Sequence, residues 1–326
     1  MANDFDSYES IRKWKENHLS EYAYDTYTLN QFHDLIMNKV FEAAITRIDN
    51  GKPPCDFCWF IAGSGGRLEQ GLISDQDHGI IFKKSSVENE SYFLQLGKEV
   101  SYGLHVVGYP YCQGKIMSSN PMWCKSLEVW LEQLYRWMEE GSLESIRNLQ
   151  IFYDARGLYG EGDYVQQLKA FIYQYQSNQP GIIKRLMESV MHIKNAIGPL
   201  GHFIPIEYGK YQGCIDLKYS AFLPYVNAIR LLAIREGLYE TSTLDRMDAL
   251  LQCNGAEVEL INSRSNFQQL LDYRLILAKG NRYEDAHYLQ ISTLEKHDRK
   301  VLKQILKDGK RLHQHVIKLI EKEIGC

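Results

Sequence analysis

The sequence predicts an α+β fold, in which a domain with a small mixed sheet and flanking helices precedes an all-α helical bundle domain. Two short apolar runs, residues 58–62 and 80–82, lie on either side of a glycine-rich turn and predict a pair of neighbouring strands. From Asp163 onward, apolar residues recur almost wholly at helical spacing, which indicates that this half of the chain forms the bundle.

The chain length of 326 residues suits two domains better than one. Helical periodicity predicts an N-terminal segment, residues 1–50, that packs on the domain formed by residues 51–160. The glycines of residues 157–162 mark the boundary to the helical domain, which we assign to residues 161–326.

Local patterns predict the first elements in order. Asp34–Ile48 carries apolar residues at helical spacing, and Gly51–Pro54 ends this helical region. Trp59–Ala62 and Asp75–Phe82 predict two paired strands. Between them, Gly65–Ser74 predicts a turn with a short helix.

The next elements alternate in the same way. Tyr92–Val107 predicts a helix that the following Gly-Tyr-Pro breaks, and Lys115–Ser118 predicts a third strand. Leu127–Met138 has the spacing of a strongly amphipathic helix. For Ile146–Leu158 the pattern fits a last strand or a helix and does not choose between them.

The composition is that of an ordinary globular protein, with 44% hydrophobic and 24% charged residues. A net charge of −4 does not favour nucleic acid as a partner. No apolar run approaches the roughly 20 residues of a membrane span, and the acidic N-terminus lacks the apolar core of a secretory signal. Seven scattered cysteines fit reduced thiols, so we expect a cytoplasmic protein without a membrane partner.

Basic residues cluster near the C-terminus. Between Glu295 and Glu323, nine Lys and Arg residues stand against five Asp and Glu residues. We interpret this stretch as a solvated helix face, in preference to a polyanion-binding surface.

The strongest functional signal combines a Gly-Ser turn with an Asp-x-Asp pair. Gly63 and Ser64 follow the first predicted strand, and Asp75 and Asp77 lie on the second. Small residues let backbone N–H groups approach a phosphate closely. Two carboxylates two residues apart on a strand point to the same face, where they can hold divalent cations. Together, these patterns indicate nucleotidyl transfer.

Each element alone also has a simpler interpretation. Gly63–Gly66 fits a tight turn, and Asp75 and Asp77 fit solvated carboxylates on an edge strand. Arg67 either reaches a phosphate or caps a local helix, and the sequence does not choose. His78 lies on the opposite strand face from the two acids, so we expect it to have a structural role.

Further motifs accompany this pair: a Gly-Ser-x-Gly-Arg-x-Glu-Gln pattern, an Asp-Gln-Asp element, a Gly-Tyr-Pro-x-Cys-x-Gly stretch, a Phe-x-Asp-x-Arg element and a C-terminal pattern. They occupy residues 63–70, 75–77, 108–114, 152–156 and 213–230. In these motifs the chain resembles a bacterial nucleotidyltransferase family of the polymerase-beta-like superfamily. That family is allied to the uridylyltransferase of the PII nitrogen-regulatory protein and to the adenylyltransferase of glutamine synthetase.

The resemblance implies a polymerase-beta-like nucleotidyltransferase domain followed by a helical substrate-binding-type domain. It implies transfer of a nucleoside monophosphate from a nucleoside triphosphate (NTP) to a hydroxyl group of a protein or small-molecule acceptor. Asp75 and Asp77 would bind Mg²⁺ or Mn²⁺, and Asp154 would supply a third catalytic carboxylate. The residues that would hold the phosphates of the NTP are Gly63, Ser64, Gly65, Gly66 and Arg67.

For several of these implied residue roles, the sequence also allows an alternative. Asp154 either serves the acceptor side or pairs with Arg156 or a lysine of the helical domain. Lys218 and Arg230 are candidates for contact with phosphate or acceptor, and an ion pair with Asp216 is the alternative. The helical domain would close over the cleft, and its apolar residues leave room for a homodimer.

Other functions also fit this fold. The main alternative is a non-catalytic nucleotide-binding regulator, although the presence of both Asp75 and Asp77 argues against a dead enzyme. Template-free extension of a nucleic acid is the alternative chemistry, and the acidic net charge counts against it. A purely structural scaffold would leave the coincidence of the two motifs unexplained.

Overall fold

A computed structural model of the chain describes residues 7–48, 51–254, 258–277 and 283–324. These residues form two units that divide between Tyr175 and Gln176. The two ends of the predicted N-terminal segment, residues 1–6 and 49–50, lie outside the described residues.

The first unit alternates helices with short strands. Its elements in chain order are α1 (Tyr8–Tyr22), α2 (Thr26–Arg47), β1 (Phe57–Ile61), α3 (Gly63–Gly66), β2 (His78–Phe82), α4 (Val87–Val107), β3 (Cys124–Ser126), α5 (Leu127–Glu140), α6 (Leu143–Tyr153), β4 (Arg156–Gly160) and α7 (Asp163–Asn178). The side chains of Ser7, Asp25 and Ser86 accept backbone N–H bonds at the starts of α1, α2 and α4. The division between the units falls within α7.

The four strands form one mixed sheet in the order β3-β2-β1-β4. β1 runs antiparallel to β2 and β4, and β2 runs parallel to β3. The register pairs Ile61 with both His78 and Arg156. The last residue of β1 therefore meets the first residues of β2 and β4 at one end of the sheet, next to the Gly-Ser turn.

Alternating residues of β1 pack on opposite faces of the sheet, as the pleat of a strand requires. Trp59 stacks on Phe41 of α2 with ring centroids 4.6 Å apart. Phe60 instead meets Trp130 of α5 at 5.7 Å, and the indole N–H of Trp130 donates to the backbone oxygen of Ile80. The sheet thus lies between α1, α2 and α4 on one side and α5 and α6 on the other.

The structure corrects the prediction of a third strand at Lys115–Ser118. That segment is a loop in which Lys115 has a positive φ of 57°, and the third strand is Cys124–Ser126. A single backbone bond, from His78 N–H to the oxygen of Ile116, joins the loop to β2. The ambiguous segment Ile146–Leu158 contains both alternatives, because α6 ends there and β4 begins.

The second predicted strand is shorter than the sequence indicates. It begins at His78 rather than at Asp75, because the backbone N–H of Gln76 donates to the oxygen of Pro110 and not to β1. The ladder is prolonged by one bond, in which Ala62 N–H donates to the oxygen of Asp77 at 2.8 Å. Asp75 and Asp77 therefore lie in an extended segment just before β2.

The second unit is mainly helical. Its remaining elements are α8 (Ile182–Glu188), β5 (Cys214–Asp216), α9 (Leu223–Arg235), α10 (Thr243–Asn254), α11 (Val258–Leu277), β6 (Tyr288–Gln290) and α12 (Lys296–Ile324). α9 is buried over most of its length and packs against α8, α10 and α12. The antiparallel pair β5–β6 is a small sheet that helical periodicity does not reveal.

The described helices and cysteines can be compared with the expectations drawn from composition. Among the described helices, none combines the length and the apolar composition needed to cross a membrane. The described ranges contain six cysteines without a disulfide: Cys55, Cys58, Cys112, Cys124, Cys214 and Cys253.

Candidate active site

The turn after β1 contains Gly63, where any other residue would strain the backbone. Gly63 has a positive φ of 54°, and a Cβ atom there would overlap with the Oδ2 atom of Asp77. Gly66 is equally crowded, because its Cβ would overlap with the backbone oxygen of Asp154. The four-residue helix α3 thus lies against the Asp-x-Asp segment on one side and the end of α6 on the other.

Asp75 and Asp77 are brought together, and a third donor joins them. A carboxylate oxygen of each residue and the Sγ atom of Cys112 all lie within 4.8 Å of one another. Both acids are half-buried, whereas the Cys112 thiol is 8% exposed. Burial and the two neighbouring carboxylates, mainly Asp77, raise the pKa of the Cys112 thiol to about 12.

Gln76, between the two acids, fixes which way they point. Its side chain is fully buried and donates to the backbone oxygens of Ser101 and Tyr109, at 3.2 and 3.0 Å. Because successive side chains of an extended segment alternate in direction, this anchorage turns Asp75 and Asp77 away from the core.

His78 is the next inward-pointing residue, and the structure supports the structural role expected for it. Its Nε2 atom lies 3.0 Å from the side-chain oxygen of Gln76, and its Nδ1 atom accepts from the Trp59 indole at 3.2 Å. The Ser118 hydroxyl also lies 3.0 Å from Nδ1. Burial lowers the pKa of His78 to about 3, so the imidazole is neutral at physiological pH.

Arg67 forms ion pairs within the protein. Its guanidinium lies 2.7 Å from the carboxylates of Glu69 and of Asp154, and its side chain is 13% exposed. Burial lowers the pKa of this guanidinium, but the two carboxylates outweigh burial and raise the pKa above its usual value. Asp154 therefore pairs with Arg67, and it is outside the Asp75–Asp77–Cys112 cluster. The backbone of Arg67 also caps the short helix α3.

Arg156 ties the turn to α2 instead. It donates to the backbone oxygen of Gly65 at 3.0 Å and pairs with Asp34 at 2.7 Å. Asn30 of α2 accepts from the backbone N–H of Gln70 at 2.9 Å. Helix α2 thus supports the segment that follows the Gly-Ser turn. The hydroxyl groups of Ser64 and Ser74 lie 3.4 Å apart across this segment.

The second unit contains Lys218 and Arg230, the two residues predicted as candidates for contact with phosphate or acceptor. Lys218 lies over the ring of Tyr283 at 5.8 Å, and Arg230 is buried and donates to Asn227 at 3.0 Å. Asp216 pairs with Lys194 at 3.4 Å. Whether Lys218 or Arg230 contacts an acceptor stays a prediction.

The sequence matches the models of two protein families, one in each half of the chain. The sequence model of the family described as "Putative nucleotidyltransferase DUF294" matches residues 18–144. The model described as "Putative nucleotidyltransferase substrate binding domain" matches residues 180–319. The chain belongs to this nucleotidyltransferase family. No curated protein matches the chain at a significant level.

A divalent cation, which nucleotidyltransferases generally use, fits the donor set found here. Two carboxylates and a thiol converge within 4.8 Å beside the turn of α3. The sequence alone indicates no role for Cys112, although this residue lies in the Gly-Tyr-Pro-x-Cys-x-Gly stretch. The spacing of that stretch from the Asp-x-Asp pair carries no signal, because only the fold brings the two segments side by side.

Proposed function

We propose that the protein transfers a nucleoside monophosphate from an NTP to a hydroxyl group of a protein or small-molecule acceptor. The observation that carries this proposal is the convergence of Asp75 and Asp77 beside the glycine turn of a nucleotidyltransferase-family chain. The acceptor oxygen forms a bond to the α-phosphorus, the bond to the bridging oxygen breaks, and pyrophosphate leaves. The hydroxyl group releases its proton to solvent water in this step.

Each part of the site has a role in this reaction. Asp75 and Asp77 would hold Mg²⁺ or Mn²⁺, with Cys112 as a neighbouring third donor. When bound, the metal neutralises phosphate charge and aligns the α-phosphate for in-line attack. The backbone of Gly63–Gly66 would approach the β- and γ-phosphates, since a glycine turn leaves the N–H groups accessible to an anion.

Arg67 and Asp154 support the turn in this proposal. The ion pair fixes the end of α3 against the end of α6, so the proposed phosphate-binding backbone is held in place before the nucleotide arrives. Catalysis by Asp154 as a third carboxylate stays a prediction that the variants described below would test.

Transfer of label from each of the four α-³²P-labelled NTPs to a fractionated cell lysate tests the proposed reaction, with Mg²⁺ or Mn²⁺ present. We expect label in one protein band or one small molecule, and loss of that label in the Asp75→Asn/Asp77→Asn variant. Asp56→Asn is the matched control, because Asp56 is exposed and pairs with Lys83 on the surface.

Metal-dependent NTP binding without transfer would favour the non-catalytic regulator instead. The absence of both binding and transfer would contradict the proposal. Cytoplasmic action belongs to the same proposal, and the six described cysteines without disulfides support it.

A further inference from the structure

The second unit contains a cavity of about 380 Å³. This volume lies in the range of pockets that bind small molecules. Residues 193–199 and Ile204 line one side of the cavity, and Ser220, Leu306, Lys307 and Lys310 complete it. All of these residues belong to the second unit, and none of them is a residue of the Asp75–Asp77 site.

The lining of the cavity is positively charged. It includes Lys194, Lys307 and Lys310, and among the described residues that line it there is no Asp or Glu. The Nζ atom of Lys307 lies 3.9 Å from the position that a Cβ of Gly201 would take, so its ammonium group is at the loop that bounds the cavity. Three lysines lining one concave surface attract an anion.

Asp216 balances the charge of Lys194, whereas the described partners of Asp308 are Tyr225 and Arg311 rather than Lys307 or Lys310. Asp216 pairs with Lys194 at 3.4 Å, and it also accepts the backbone N–H of Tyr219. Asp308, between the two α12 lysines in sequence, is buried and accepts from the hydroxyl of Tyr225 at 2.9 Å.

The two lysines of α12 also repel each other. Lys307 and Lys310 are three residues apart on the helix, which places them on one face, where like charges destabilise. An anion bound between them would relieve this repulsion. Both belong to the basic stretch that the sequence alone suggests to be a solvated helix face.

The rest of the cavity wall is mainly apolar. Ile193, Ile197 and Pro199 contribute from the loop, and Leu306 contributes from α12. A fully hydrated inorganic ion would gain little from such a wall, whereas an organic anion would bury its apolar part there.

We propose that this cavity binds a small organic anion whose carboxylate or phosphate group contacts the three lysines and whose apolar part packs on the isoleucines and Leu306. The family model that matches residues 180–319 is described as a substrate binding domain, which is consistent with a ligand site in this unit. The proposal does not depend on nucleotidyl transfer at the first unit.

Calorimetric titration of the full chain with phenyl phosphate and with phenylacetate tests the proposal. EDTA is included so that no metal can bridge a probe to Asp75 and Asp77. We expect at least one anionic probe to bind, and benzyl alcohol, which has the ring without the charge, to bind far more weakly. Preference for phenyl phosphate would identify a phosphate ligand, and preference for phenylacetate a carboxylate ligand.

Charge-matched variants locate the binding. Lys307→Gln/Lys310→Gln should weaken the preferred probe by roughly tenfold or more, because two charge-assisted contacts are lost. Lys318→Gln/Lys322→Gln removes the same charge from exposed positions of the same helix that do not line the cavity, and it should bind like the wild type. Lys194→Gln repeats the test from a different element in case the α12 variant folds poorly.

Equal weakening by both α12 pairs, or no binding of either anionic probe, would overturn the proposal. Failure of the labelling experiment with intact probe binding would instead count against nucleotidyl transfer alone. The two proposals therefore fail separately.

Discussion

The Nη1 atom of Arg67 lies 2.7 Å from the Oδ2 atom of Asp154, across 87 residues of sequence. This ion pair is almost fully buried and joins the residue that caps α3 to the residue that ends α6. The same guanidinium contacts Glu69, so one arginine neutralises two acids next to the glycine turn. The pair explains why a prominent carboxylate of the sequence motif does not lie with Asp75 and Asp77.

Asp154→Asn and Arg67→Ala should each destabilise the protein by about 3 kcal/mol, since breaking a buried ion pair leaves a charge without its partner. The double variant should lose less than the sum of the two, because both changes remove the same interaction. Urea unfolding measures these free energies. If Asp154→Asn kept wild-type stability and NTP binding but lost turnover, Asp154 would be a catalytic carboxylate rather than a positioning residue.

Gly63→Ala should weaken metal-dependent NTP binding and lower the free energy of unfolding. The left-handed backbone alone costs a non-glycine residue roughly 1–2 kcal/mol, and the new methyl group would also displace the Asp77 carboxylate. Calorimetry with Mg²⁺ and a non-hydrolysable NTP measures binding. Gly162→Ala is the control, because a Cβ at Gly162 meets no atom within 4 Å. Equal behaviour of the two variants would refute the role assigned to Gly63.

Cys112→Ser should change which metal the site prefers. A thiol favours soft cations, so Cd²⁺ should bind the wild type more tightly than the variant by about tenfold or more, while Mg²⁺ affinity changes less. The ultraviolet charge-transfer band of a cadmium–thiolate bond reports the contact independently of activity. Cys253→Ser, which removes an exposed thiol, should leave the band intact. A band that persists in Cys112→Ser would exclude Cys112 as a donor.

Lys15 should make stability depend on pH between about 8 and 10. Burial lowers the pKa of its ammonium group from 10.5 to about 8, beside the ring of Tyr109. In this range the unfolded chain holds a proton that the folded protein has released, so stability rises with pH, by about 1.4 kcal/mol for each unit of pKa difference.

Thermal unfolding of the wild type and of Lys15→Met across this range measures the effect. Lys15→Met should be flatter with pH, and Lys13→Met, at an exposed position of the same helix, should follow the wild type. Parallel curves for the wild type and Lys15→Met would show that Lys15 does not titrate there.

Much of the fold follows from short-range patterns. Apolar spacing correctly predicts α2, α4 and α5, and the two apolar runs predict β1 and β2. The prediction of the third strand is wrong because Cys124–Ser126 has little strand character of its own. This segment is a strand because it pairs with Ile80–Phe82. Such pairing is a tertiary effect that overrides local propensity.

The candidate site likewise has one feature that the sequence predicts and one that it does not. The shared direction of Asp75 and Asp77 follows from the two-residue period of an extended chain, and the structure bears it out. The position of Cys112 beside Asp75 and Asp77 does not follow from any spacing in the sequence. It depends on backbone bonds from Gln76 to Pro110 and from His78 to Ile116, which align two segments more than thirty residues apart.

Gln76 constrains how this sequence can change over evolutionary time. A deletion or insertion of one residue between Ser74 and His78 would exchange inward and outward positions, burying an acid where Gln76 now bonds to Ser101 and Tyr109. Point substitutions in this segment alter one side chain, but a length change inverts all of them at once. We therefore expect the segment to tolerate some replacements and no change in its length, as alignment of related chains or a deletion scan would reveal.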